Sequence, residues 1–118
     1  MTASLEAALR AAAAGLLPAE AAAGLLIGSG HFLHRADFTS RLTETAAGTP
    51  MACIDWDAVI TALDGGQLPA SSGETAVLRL AASLADGNPV SLRDTITSLD
   101  HRNTDLFTTA IRHAAGQH

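Results

Sequence analysis

The chain contains no lysine, no tyrosine and a single cysteine, Cys53, in 118 residues. One cysteine cannot close an internal disulfide, so nothing here requires an oxidising compartment. Without lysine the phosphate-cradling pattern G-x-x-x-x-G-K-[ST] is impossible, and neither Gly28-x-Gly30 nor Gly65-Gly66 extends into a G-x-G-x-x-G turn. The G-x-S-x-G elbow of many hydrolases is missing as well. No long apolar run exists: the longest weakly charged stretch, residues 11–30, holds Pro18, Glu20 and mostly small side chains. It makes a poor membrane span and a good pair of short helices. The start, Met1-Thr-Ala-Ser-Leu-Glu6, has no cationic leader character, so a cytoplasmic location is expected.

Positive charge is also scarce. All seven cations are arginines, at positions 10, 35, 41, 79, 93, 102 and 112, and the net charge is −5. A duplex binder neutralises several phosphates with clustered cations, and an anionic membrane attracts polybasic segments. No window of this chain provides either, so nucleic acid and membrane are both poor expectations as partners.

What remains is alanine and leucine. The apolar fraction is 47% with 25 alanines and 16 leucines, and only 16% of residues are charged, too hydrophobic a balance for disorder. Large apolar side chains contribute roughly 1.5–3 kcal/mol each when buried, enough for one modest core.

Helical spacing and helix punctuation dominate. Leu5, Leu9, Ala12 and Leu16 form a stripe that Ser4 can cap and Pro18 ends. Pro18 also suits the first turn of a second helix, expected to run to about Ile27 before Gly28-Ser-Gly30. Asp37 is a plausible cap for a short helix through Thr45, with Phe38 and Leu42 inward, and residues 46–53 read as a loop. Asp55 caps the next helix, with Ile54 placed to staple onto Val59. Ser71 and Glu74 form a capping box ahead of Val77, Leu80, Ala81 and Leu84. Gly87-Asn-Pro89 ends that helix, Ser91 caps a short one, and Asp100 or Asn103 opens the last, which buries Phe107, Ala110, Ile111 and Ala114. No strand is demanded. The expected fold is a single all-α domain over residues 1–118, a compact orthogonal bundle of six or seven short helices. Its N-terminal helices lie in 1–45 and its helical core in 54–116.

Candidate chemistry is thin. His31-x-x-His34-x-x-Asp37 would place two imidazoles and a carboxylate on one helical face, the donor set of a metal-dependent hydrolase. Against that, the segment follows the Gly28-Ser-Gly30 break, and Asp37 is better explained as a cap. Cys53 lies beside Asp55 and Asp57, and acids oppose thiolate formation, so a half-buried structural thiol is expected. His101 and His113 are too far apart on one helix to share an ion, and His113 suits a helix C-terminus. Residues 74–99 invite a helix-turn-helix reading, but alignment on Gly87 puts Ser83 at the small position and Arg93 at a core position. Its basic reach would come from Arg79, Arg93, Arg102 and Arg112. The stripe of Leu5, Leu9, Ala12 and Leu16 repeats like a short heptad seam, suited to a partner chain or to the neighbouring helix.

The segments Ile54-Asp-Trp-Asp-Ala-Val-Ile-Thr-Ala-Leu-Asp-Gly-Gly, Ser72-Gly-Glu, Leu80-Ala-Ala-Ser-Leu-Ala-Asp-Gly and Asn88-Pro-Val-Ser-Leu-Arg-Asp resemble small uncharacterised all-helical proteins of high-GC actinobacteria. The likeness covers roughly residues 54–116, and the group has no assigned activity to carry over. The expected function is a non-enzymatic cytoplasmic interaction or regulatory module, without cofactor, acting through helical surfaces as a homodimer. A nucleic-acid-associated regulator and a metal-dependent hydrolase are the alternatives.

Overall fold

A computed structural model describes residues 2–45 and 51–117, with side chains for 5–39 and 51–117. The described residues form α1 (Thr2–Ala13), α2 (Leu17–Ser29), α3 (Ala36–Leu42), β1 (Thr43–Thr45), β2 (Ala52–Ile54), α4 (Trp56–Asp64), α5 (Ser72–Asp86), α6 (Leu92–Ile96) and α7 (His101–Ala114). The fold is an all-α bundle, and short polar punctuation sets its element boundaries.

Asp55 accepts the Ala58 N–H at 3.1 Å and opens α4. Ser71 and Glu74 exchange both bonds of the capping box at the start of α5. Ser91 caps α6, and Asp100 accepts the Asn103 N–H at 2.8 Å to open α7. Each cap satisfies backbone donors that have no partner inside the helix. Pro18 sits in the first turn of α2, and Gly30 and Gly87 end α2 and α5 in the left-handed conformation.

Several expectations need correction. Helix α1 runs from Thr2 to Ala13, so Ser4 lies inside it rather than capping it and Leu16 lies beyond its end, while in α7 Ile111 is 44% exposed and not buried. Helix α2 passes through Gly28 to Ser29, two residues beyond its expected end at Ile27. Helix α3 stops at Leu42, and the chain forms a strand at Thr43–Thr45. That strand pairs antiparallel with Ala52–Ile54, in the register Thr43↔Ile54, Glu44↔Cys53 and Thr45↔Ala52. Two β-branched threonines and an isoleucine favour extended backbone, but three-residue strands are too short for alternation to be legible. The part of the expected loop at 46–50 lies outside the described residues. In β2, Ala52 is buried, Cys53 exposed and Ile54 half-buried, as the pleat requires.

Two hydrophobic clusters fill the interior. One gathers Leu9, Leu26, Phe32, Leu33, Phe38, Val59, Leu68 and Leu78, with Ile54 packed against it. The other gathers Ala21, Ala22, Leu25, Val77, Leu80, Ala81, Phe107 and Ala110, and Trp56 packs against both. Helices α2 and α5 contribute to both clusters, and α2 packs chiefly on α5 and α7. A helix apolar on all sides belongs in the middle of a fold, and α2 takes that place. A Cβ at Gly28 would lie 2.8 Å from Leu106 Cδ2, so the Leu106 side chain of α7 packs into the space this glycine leaves.

Candidate functional site

Helices α2 and α7 are fastened at both ends by polar contacts that also fix their antiparallel direction. Arg102, in the first turn of α7, donates from Nη1 to the Ser29 carbonyl at 3.0 Å and from Nη2 to the Gly28 carbonyl. Those carbonyls belong to the last turn of α2, where they lack helical partners and a cation is favoured. At the other end, His113 Nε2 lies 2.7 Å from Glu20 Oε1. Glu20 occupies the first turn of α2 and also accepts the Gly15 N–H at 2.9 Å. Carboxylate at a helix start and imidazole at a helix end both suit the backbone dipoles.

Between these fasteners lies a cleft of about 400 Å³ lined by Arg10, Glu20, Ala21, Ala23, Gly24, Leu25, Leu106, Thr109, Ala110 and His113. Its walls are largely apolar with a few polar groups, Arg10, Glu20, Thr109 and His113, among them, the composition of a small-ligand site. Glu20 and His113 are each about 30% exposed, so this ionisable group stands at an open rim and not in a water-poor pocket. The sequence marked His113 for electrostatic capping only; its partner lies 93 residues away in the chain, beyond any local pattern.

The His31, His34 and Asp37 cluster does not assemble. Gly30 ends α2 in the left-handed conformation, residues 31–35 run through bends and turns, and α3 begins at Ala36. The shared helical face that would align the three donors is therefore missing. His31 Nδ1 lies 3.3 Å from Glu74 Oε2, and Asp37 accepts two bonds from Arg35, at 3.0 Å from Nε and 2.6 Å from Nη2. His34 is exposed. Asp37 is thus the partner of an arginine in the first turn of α3, in place of the expected cap. Arg35 continues to the Pro69 carbonyl at 2.7 Å, pinning the α4–α5 connection. Among the described residues no three histidine, cysteine, aspartate or glutamate side chains are grouped to hold a metal ion.

The four arginines assigned to a nucleic-acid face are divided. Arg79 pairs with Asp64 at 2.7 Å, Arg102 is held by the α2 carbonyls, and Arg93 and Arg112 are exposed. Helix α6, which would be the recognition helix, has only five residues. The N-terminal stripe is divided too. Leu9 is in the core, Leu5 packs against it, Ala12 is half-buried, and only Leu16 stands out, at 63% exposure. Cys53 is exposed, contrary to the half-buried thiol expected, because the strand pleat turns position 53 outward between inward-facing neighbours.

No protein family, curated protein or solved structure matches this chain.

Two carboxylates have their ionised forms favoured by the fold. The Arg35 guanidinium bonds hold the Asp37 carboxyl below its ordinary range, and the Ser71 backbone N–H does the same for Glu74, aided by the Ser71 hydroxyl and by the charges of His31 and Arg35. A carboxyl depressed in the folded state contributes stability above its unfolded pKa and loses it as pH falls through the folded value. The melting temperature should therefore fall as the solution is acidified below the ordinary carboxylate range. The double variant Asp37→Asn/Glu74→Gln should show a flatter acid limb in a thermal-melt series. An unchanged slope in that variant would contradict the assignment.

Proposed function

We propose that this chain is a non-enzymatic interaction or regulatory module of the cytoplasm, and that it self-associates through the surface around α6. The observation that carries this reading is the exposure of Leu92 and Ile96, at 49% and 42%, one helical turn apart on α6. Val90 and Leu99, on either side of α6, are half-buried and packed against the second core cluster, which anchors the helix to the fold. Meanwhile Glu20, His31, Arg35, Asp37, Asp64, Glu74, Arg79 and His113 are all engaged in arginine–carboxylate ion pairs or histidine–carboxylate contacts within the chain. Among the described residues no helix is long and apolar enough to cross a membrane, which fits a module that meets its partners in water.

A second copy of the chain is the partner favoured. Arg93 and Asp94 stand exposed on α6, and neither makes an ion pair among the described residues. In a two-fold contact residue i meets j and j meets i, so each copy's Arg93 can meet the other's Asp94 around a shared apolar centre. Such rim charges add little affinity but fix orientation. Size-exclusion chromatography with light scattering tests the surface. Leu92→Asp/Ile96→Asp should run at the monomer mass at concentrations where the parent chain runs heavier. Equal masses for parent and variant would remove α6 as the contact.

A further inference from the structure

We propose that the cleft between α1, α2 and α7 binds a small amphipathic carboxylate, with its apolar body along α2 and α7 and its head group on Arg10. This site is separate from α6 and does not depend on self-association. The cleft volume, about 400 Å³, falls within the range of small-ligand pockets, and its walls are mainly Ala21, Leu25, Leu106 and Ala110.

Charge selects the head group. The carboxylate already present, Glu20, is engaged by His113 and by the Gly15 N–H. Arg10, in the last turn of α1, makes no ion pair among the described residues. Arg10 lines the cleft beside these apolar walls, and a guanidinium suits a planar carboxylate bidentately.

Gly24 points to the same use. It lies in the middle of α2, where glycine weakens a helix relative to alanine, and a Cβ built there meets no atom within 4 Å. Packing explains Gly28 one turn later, where Leu106 presses close, but it does not explain Gly24. A side chain at position 24 would occupy the cleft, so its absence keeps the slot open.

Octanoate is the probe, with octanol and octylammonium as head-group controls, read by heteronuclear NMR and titration calorimetry on the full chain. Octanoate should shift the Gly24, Thr109 and Ala110 amides saturably and bind more tightly than either control. Arg10→Gln should weaken binding about tenfold, the loss of one charge-assisted contact. Gly24→Leu should abolish binding with helical circular dichroism retained, and Gly24→Ala should raise the melting temperature. Absence of saturable shifts up to the solubility of octanoate would overturn the proposal. So would preference for octylammonium, undiminished binding by Arg10→Gln or Gly24→Leu, or shifts that map to α6. Cleft amides that shift with protein concentration alone would mean that a second copy fills the slot, which also overturns it.

Discussion

Phe32→Ala should destabilise the fold by about 3–5 kcal/mol, the usual cost of deleting a fully buried aromatic side chain. Phe32 is 0% exposed, and its ring centroid lies 5.5 Å from that of Phe38. The Arg35 guanidinium carbon stands 5.5 Å from the same centroid, so the ring also supports the arginine that bonds Asp37 and the Pro69 carbonyl. Its removal would leave a cavity where the α2–α3 turn meets the first core cluster. Against a typical total of about 5–15 kcal/mol, that loss is a large fraction. Urea unfolding should show a much lower midpoint with an unchanged slope, and Phe32→Leu, which keeps most of the volume, should lose far less. A midpoint for Phe32→Ala near that of the parent would mean that the cluster is not the core.

Arg102→Ala should cost about 1–2 kcal/mol although the side chain lies at the surface, because it removes charged bonds to two helix-end carbonyls. Ser29 is itself buried, so water cannot readily replace the lost donor there. Lysine should not rescue the variant: the contact uses the two terminal nitrogens of one guanidinium, and an ammonium on a flexible stem cannot reproduce that fork. Thermal melts of Arg102→Ala and Arg102→Lys decide this. Full recovery with lysine would show that charge alone is needed.

Helix punctuation was the legible part of the chain. Asp55, Ser71 with Glu74, Ser91, Asp100 and Gly87 each perform the role their local pattern implies, because a cap is a contact between residues three or four apart. Contacts made between distant segments were not legible. Nothing near Glu20 announces His113, and nothing near Arg102 announces the end of α2. The central place of α2 was hidden because alanine and leucine surround it on every side, so no stripe marks a buried face. The β1–β2 pair escaped because three residues are too few to display alternation. His31-x-x-His34-x-x-Asp37 is a donor set only on a continuous helix, and the glycine break that spoke against it in the sequence is where Gly30 ends α2. The cleft was invisible as a unit, since its lining comes from α1, α2 and α7, although Gly24 in a helix interior was a signal within reach.

Sedimentation equilibrium of the parent chain over a wide concentration range tests the central claim most directly. Self-association through α6 predicts an apparent mass that rises from 12.0 kDa toward twice that value as concentration increases. A single mass of 12.0 kDa at every concentration would contradict it.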